Sequence, residues 1–231
     1  MTLALLKYHM LTLTKEYVTI FLGLGIPVGM ILLIPGFTAG LFVGNFIIAT
    51  MVIGLMDAGM SHAYARQIKF LRRLLMTPVK PRHYIFTGLL SRYLTMLVLA
   101  TVIVVISAIT SEYGLGDRNW LLIYGALSVV FAMFYAIGMF TVNVLKNSKS
   151  SQGLTYVVFF GNFLFSGLMI PLSIMPQIVQ DIQRFLPIAY GTGLLMNAWQ
   201  GYSILEGYYL YATIGVTVAF TLLSIKFFKY E

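Results

Sequence analysis

Long apolar segments separated by short polar stretches run through most of the chain. A helix needs roughly 20 apolar residues to cross the hydrocarbon core of a bilayer, and six segments reach or approach that length. The pattern therefore predicts an all-α integral membrane protein with six transmembrane helices, organised as a single domain over residues 1–231. The predicted spans cover about residues 17–35, 37–63, 84–110, 120–145, 153–171 and 207–228.

Three further segments are amphipathic or too short to span. Residues 2–16 predict an N-terminal interfacial helix that leads into the first span. Between Pro176 and Pro187, apolar and polar residues separate onto two helical faces, and the following residues 188–201 are apolar but short. We expect these last two segments to form re-entrant or interfacial helices at the outer surface, between spans five and six.

The segment from Tyr64 to Arg82 is strongly basic. It holds six of the 15 Lys and Arg residues of the chain, and up to Pro78 its apolar and basic side chains fall on opposite arcs of a helical wheel. This predicts a short amphipathic helix between spans two and three. Because Lys and Arg are retained on the cytoplasmic side of membrane proteins, we expect this helix at the cytoplasmic surface.

The same rule orients the whole chain. With the basic helix in the cytoplasm, six spans place 13 of the 15 basic residues and both termini on the cytoplasmic side. An odd number of spans would move the lysines of one terminus outside. The sequence thus predicts a multi-pass protein of a cytoplasmic membrane with both termini inside the cell.

Composition argues against several classes of function. Hydrophobic residues make up 59% of the chain and charged residues 10%, whereas soluble domains carry about 25% charged residues. The net charge of +8 is spread over loops between spans, which argues against nucleic-acid binding. Cysteine is absent and the three histidines are scattered, so we predict no metal site. The chain lacks a G-x-x-x-x-G-K-[ST] phosphate loop and a grouped nucleophile and base, so we predict that it is not itself an enzyme.

Two ionisable residues lie within predicted spans. Asp57 and Arg92 each stand a couple of turns from the cytoplasmic end of adjacent spans two and three. An unpaired charge at such a depth costs on the order of 2.5–3.5 kcal/mol on insertion scales, so we predict that the two side chains pair. The alternative for Arg92 is a side chain that extends to the membrane surface. The alternative for Asp57 is an interior position with no role in transport.

Uncharged polar residues also occur within the spans. Asn45 and Thr50 lie in span two, and Asn162 and Ser166 lie in span five. Polar side chains in lipid generally face other helices and serve as packing contacts. The alternative is that these four residues line a transport path, with spans two and five supplying most of it.

Two motifs together resemble those of one known family. The segment ARQIKFLRRLLMTPVKPRHYIFTG has a charged cluster, a helix, Thr-Pro-Val and a return to the membrane. The segment FLFSGLMIPLSIMPQIVQDIQRFLPIAYGTGLLMNAWQG has the series Ser-Gly, Pro, Met-Pro, amphipathic helix and Leu-Pro. In order and spacing, the chain resembles the membrane subunits of ATP-binding-cassette exporters of type 2, which are small six-span permeases. Gln67 and Lys69 stand where that family usually has an acidic residue and a glycine.

The resemblance implies a function and a set of partners. The expected protein is the permease subunit of a bacterial exporter that moves an amphipathic substrate, such as a drug, an antimicrobial peptide or a lipid-like molecule, out of the cytoplasm or the inner leaflet. It would form a homodimer or heterodimer, contact membrane lipid, and bind a separate cytoplasmic ATPase that holds ATP and Mg²⁺. The basic segment would be the coupling helix that docks on this ATPase, through Arg66, Lys69, Phe70, Arg72, Arg73 and Leu74.

Other functions remain open as alternatives. Members of the same family export lipid-linked polysaccharides. A secondary transporter would need a discontinuous-helix site and usually an internal repeat, and neither is evident in the sequence. The third alternative is a membrane protein that transports nothing, such as an immunity or assembly factor.

Overall fold

The computed structural model describes residues 17–33, 39–70, 81–110, 118–145, 147–166, 175–205 and 207–227. Within these ranges every regular element is helical, which confirms the prediction of an all-α protein. The helices are α1 (Tyr17–Leu33), α2 (Ala39–Gln67), α3 (Pro81–Thr110), α4 (Trp120–Val144), α5 (Ser148–Leu164), α6 (Gln177–Gln183), α7 (Pro187–Gln200) and α8 (Tyr208–Phe227).

Four of these helices are long and apolar enough to cross a membrane, namely α2, α3, α4 and α8. Helix α1 is apolar but shorter, and α5 has 17 residues. At 1.5 Å per residue, 17 residues measure about 25 Å, somewhat less than a typical hydrocarbon core of about 30 Å. The structure therefore supports a multi-pass helical membrane protein, while the prediction of six spans stays a prediction.

Helix α4 lies at the centre of the bundle. It packs against α2, α5, α7 and α8, and its most extensive contact is with α2, followed by that with α8. Helix α2 is the other interior element, and its side chains from Phe42 to Ala58 are buried almost without interruption. Helices α2 and α4 therefore carry most of the core, whereas the apolar helices α3 and α8 lie mostly at the outside of the bundle, where a membrane span can face lipid.

A close approach of backbones fixes the crossing of α2 and α4. A Cβ atom on Gly138 would stand 2.5 Å from the carbonyl oxygen of Leu55 and 2.9 Å from that of Gly54. Only glycine allows two helix backbones to approach to this distance. The crossing falls within residues Val52–Asp57, where α2 adopts a π-helical turn. Such turns insert an extra residue into a helix and shift the direction of the side chains that follow.

The two helices between the predicted spans five and six differ in burial. Helix α6 buries none of its residues, whereas α7 packs one face against α2, α4 and α8. The guanidinium of Arg118 donates a hydrogen bond of 2.9 Å to the carbonyl of Trp199 near the C-terminal end of α7, and it lies 4.7 Å from the centroid of the Trp199 ring. This end of the bundle is therefore joined by a cation–π contact as well as by apolar packing.

The helix boundaries differ from the prediction in two places. The first residues of the predicted basic helix, Tyr64 to Gln67, continue α2 without a break. The side chain of Arg66, predicted on the polar arc, is instead buried, because carbonyl oxygens at the end of α4 accept its hydrogen bonds. Helix α5 ends at Leu164 rather than near residue 171. The predicted interfacial helix over residues 2–16 lies outside the described residues, and so do residues 71–80 of the basic segment.

Candidate functional site

A buried ion pair joins α2 to α3. The Nε atom of Arg92 donates to Oδ2 of Asp57 at 2.7 Å, so the structure brings together the two side chains that were predicted to pair. Asp57 is 0% exposed and Arg92 is 6% exposed. The guanidinium also donates to the hydroxyl of Ser61 on α2 and to the carbonyl of Gly88 on α3. The second oxygen of Asp57, Oδ1, has no hydrogen-bond partner among the described residues.

This arrangement favours the charged pair over separate charges. Three donor groups of Arg92 are occupied by fixed acceptors, and a guanidinium offers five donors in a rigid plane. The carboxylate offsets the charge of the guanidinium in this buried setting, so the pair costs less to bury than either charge alone. The pair can therefore hold α2 and α3 in one alignment, and any movement between these helices must strain or break it.

A second polar cluster lies where α2, α4 and α5 come together. The Nη1 atom of Arg66 donates to the carbonyl oxygens of Val142 and Leu145, at 2.7 and 3.2 Å. The hydroxyl of Ser151 donates to the same two carbonyls, each at 3.2 Å. One turn further along α5, the hydroxyl of Thr155 lies 2.8 Å from that of Thr141 on α4. We call these six residues, with Arg66 at their centre, the α2–α4–α5 junction.

The four residues proposed for a transport path occupy different settings. Thr50 donates to the carbonyl of Phe46 one turn earlier in its own helix, at 2.7 Å, and Ser166 donates to the carbonyl of Phe163 at 2.6 Å. Asn162 connects two elements, because its Oδ1 accepts from the backbone N–H of Ile188 at the start of α7. These contacts are of the packing type.

Asn45 differs from the other three. It is 0% exposed, and neither its Oδ1 nor its Nδ2 has a hydrogen-bond partner among the described residues. An unsatisfied buried amide is costly. Of the four candidates, Asn45 is thus the one whose side chain makes no hydrogen bond within the described part of the chain.

A largely apolar cavity of about 660 Å³ opens between α3, α4 and α8. Its lining includes Leu89, Met139, Tyr135 and Thr221. This volume lies in the range of about 300–1,000 Å³ that is typical of small-molecule sites. The cavity lies in the half of the bundle where α3 begins and α4 ends, and none of the described residues that line it carries a charge. An apolar molecule with a few hydrogen-bonding groups would fit this chemistry.

The residues predicted to couple to an ATPase are only partly described. Arg66 is buried in the α2–α4–α5 junction, whereas Lys69 is exposed and adopts a left-handed backbone conformation with φ of 55°. Phe70 is half-buried. Arg72, Arg73 and Leu74 lie outside the described residues.

Sequence reasoning did not find the α2–α4–α5 junction. Arg66 was grouped with its basic neighbours, because a wheel drawn for an isolated helix starting at Tyr64 takes no account of α4 and α5. A signal was present in Ser151 and Thr155, which lie four residues apart and so share one face of α5.

Among the described residues no group of three or more His, Asp or Glu side chains comes together to hold a metal.

Comparison with known proteins agrees with this architecture. Residues 17–226 match the family described as ABC-2 family transporter protein. The chain is also 22% identical over 190 residues to a protein named as a transport permease, YvfS, of Bacillus subtilis strain 168, and this alignment covers 80% of the chain and 73% of the relative. The family match covers every described helix except the final residue of α8. The chain therefore belongs to the ABC-2 transporter family and is a membrane permease of that family.

Proposed function

We propose that the chain is the membrane-spanning subunit of an ATP-driven exporter, which moves an amphipathic drug, antimicrobial peptide or lipid-like molecule out of the cytoplasm or the inner leaflet. The observation that carries this proposal is the family match over residues 17–226. The apolar cavity between α3, α4 and α8, with its few hydroxyl groups, supports an amphipathic rather than an ionic substrate.

The proposed assembly has two permease copies and a separate ATPase. In this arrangement each copy crosses a bacterial cytoplasmic membrane six times with both termini in the cytoplasm, since that topology places 13 of the 15 basic residues inside. The ATPase binds ATP and Mg²⁺ and meets each permease at the basic segment after α2. ATP then shifts the permease between inward-facing and outward-facing states.

Charge reversal in the basic segment tests the contact with the ATPase. We expect Arg72→Glu combined with Arg73→Glu to remove most co-purification with the partner ATPase, because two cations at the docking surface become anions. Transport is expected to fall in parallel. The measurement is the amount of ATPase retained by affinity-tagged permease in detergent, together with export of a fluorescent amphipathic dye from vesicles.

The matched control is Arg184→Glu, which reverses an exposed charge in the connection after α6. This variant is expected to retain the ATPase in full, since the proposed topology places it on the outer side. Unchanged ATPase retention and unchanged export in the Arg72 and Arg73 double variant would reject the coupling role of the segment. Export driven by a proton or sodium gradient without any ATPase would favour a secondary transporter instead.

The route of the substrate is proposed to run between subunits along spans two and five, past Asn45, Thr50, Asn162 and Ser166. The cavity between α3, α4 and α8 would receive the apolar part of the substrate before it enters this route. Ala132 lines the cavity and is itself exposed, so a larger side chain can be placed there without disturbing the core.

Partial filling of this cavity gives a second test. We expect Ala132→Phe to raise the apparent KM for a fluorescent amphipathic dye by about three- to tenfold, which corresponds to about 0.7–1.4 kcal/mol of lost binding. Leu121→Phe on the same helix, at a position 86% exposed, is the control and should leave the KM unchanged. An unaltered KM in Ala132→Phe would exclude the cavity from the path of this dye.

A further inference from the structure

Arg66 joins the end of α2 to the end of α4. The last carbonyl groups of a helix have no hydrogen-bond donor within that helix, and α4 ends at Val144. The guanidinium of Arg66 donates to the carbonyls of Val142 and Leu145 at this end. The partial negative charge at a helix C-terminus favours a cation there. Arg66 is only 7% exposed, so its charge is directed into the protein and not toward a soluble partner.

The start of α5 is bound to the same acceptors. Ser151 donates to the carbonyls of Val142 and Leu145 as Arg66 does. Two donors from two helices therefore converge on one pair of carbonyls from a third. A relative shift of any one of the three helix ends would break at least one of these hydrogen bonds.

Tight packing extends this connection toward the middle of the bundle. A Cβ atom on Gly59 of α2 would stand 2.8 Å from the methyl group of Thr155 on α5. The hydroxyl of Thr155 in turn lies 2.8 Å from that of Thr141 on α4. The three helices are thus in contact over about two turns, with no space for one to slide past another.

We propose that Arg66 is a positioning residue which makes the ends of α2, α4 and α5 move as one body, rather than a residue that contacts the ATPase. The part of the basic segment that follows α2 starts two residues beyond Arg66. A displacement of that part is therefore passed directly to the end of α2. Through Arg66 the displacement passes to α4, at the centre of the bundle, and to α5. This inference rests on the proposed function, because it assumes that an ATPase moves the segment.

The first experiment compares Arg66→Met, Arg66→Lys and Ser151→Ala with the control Lys149→Met. Lys149 is an exposed cation near the start of α5 and outside the proposed docking residues, so its variant removes the same charge without removing a junction side chain. We expect all four to retain the co-purifying ATPase. Arg66→Met should raise the ATP hydrolysed per dye molecule exported by about tenfold, Ser151→Ala and Arg66→Lys should raise it less, and Lys149→Met should not change it. A lysine restores the charge but cannot reproduce the planar fork of donors.

The second experiment measures the junction directly. The chain has no cysteine, so Gln67→Cys and Ser150→Cys, both at exposed positions, provide a unique pair for spin labels. In the complex with the ATPase, prepared with an excess of unlabelled permease so that at most one copy carries the labels, we expect one narrow distance distribution, identical with and without ATP. Adding Arg66→Met should broaden the distribution or make it depend on ATP. Ser151→Ala should also broaden the distribution or make it depend on ATP, to a smaller extent. This variant replaces Arg66→Met in the experiment if Arg66→Met does not fold.

Two results would overturn the inference. One is loss of the ATPase from the Arg66 variants but not from Lys149→Met, which would make Arg66 a docking residue. The other is a label distance that changes with ATP in the otherwise natural sequence, since the helix ends would then not move together. If the natural chain itself retains no ATPase, the proposed function is wrong and this inference falls with it.

Discussion

Replacing Arg92 by leucine is expected to lower the free energy of unfolding by about 3–5 kcal/mol, the range measured when one partner of a buried ion pair is removed. The reason is the carboxylate that remains. Asp57 is 0% exposed and its Oδ2 lies 2.7 Å from the Nε of Arg92. Without that partner it must stay charged in an apolar setting or take up a proton, and both cost free energy.

The double variant distinguishes the contribution of the ion pair itself from the cost of leaving one of its charges unpaired. Adding Asp57→Leu to Arg92→Leu removes the orphaned charge, so stability should return to within about 1–2 kcal/mol of the natural chain. Arg184→Leu is the control, because Arg184 and Asp181 form an exposed pair of 3.6 Å with 69% and 53% of their side chains accessible. Exposed pairs contribute about 0–1 kcal/mol to stability, so we expect this variant to leave the free energy of unfolding almost unchanged.

Unfolding can be followed through the two tryptophans in detergent micelles titrated with sodium dodecyl sulfate. Trp120 and Trp199 lie with their ring centroids 6.3 Å apart, so their fluorescence reports the contact between α4 and α7. A loss in Arg92→Leu no larger than that in Arg184→Leu would show that the buried pair contributes little to the fold. The same result would weaken the view that it aligns α2 with α3.

The ion pair shows what sequence alone can predict in a membrane protein. Charges are rare within spans and expensive when unpaired, so two opposite charges at similar depth on adjacent spans, Asp57 and Arg92, leave few other solutions. The approximate positions of the long apolar helices follow from the same scarcity of polar residues. These predictions depend only on the apolar composition of single segments and on the rule that charges within spans are paired.

The α2–α4–α5 junction could not be predicted in this way. Arg66 looks like its neighbours Lys69 and Arg72, and what sets it apart is the position of two carbonyl groups about 76 to 79 residues further along the chain. Backbone carbonyls have no signature in sequence. The π-helical turn at Val52–Asp57, which lies where α2 crosses α4, is likewise not evident from the sequence.

The spacing of glycines in the sequence illustrates the same limit. A small residue marks a close crossing only when another helix lies opposite, and sequence does not say which glycines meet a partner. On Gly29 an added Cβ would meet no atom of the described residues within 4 Å, whereas on Gly138 it would meet backbone. The spacing G-x-x-x-G from Gly25 to Gly29 therefore marks no close helix crossing within the described part of the chain.

Gly138→Ala is expected to lower the free energy of unfolding by about 2–3 kcal/mol, at the upper end of the usual cost of overpacking. The added methyl would stand 2.5 Å from the carbonyl oxygen of Leu55 and 2.9 Å from that of Gly54. Both are backbone atoms, so no side-chain rotation can relieve the overlap and the helices α2 and α4 must separate. Gly138→Val should cost more, because its branches point into the same space.

Gly125→Ala on the same helix is the matched control. A Cβ atom at this position would meet nothing within 4 Å, so alanine should be neutral or raise stability by up to about 1 kcal/mol through its higher helix propensity. Both changes replace glycine by alanine in one helix, so their effects on helix propensity are similar. Changes of opposite sign in the free energy of unfolding, measured by the same titration, would therefore report the crossing of the two helices. Equal effects at positions 125 and 138 would mean that α2 and α4 do not cross at Gly138. Since Asp57 and the α2–α4–α5 junction both depend on that crossing, ATP-driven export by Gly138→Ala should fall together with its stability.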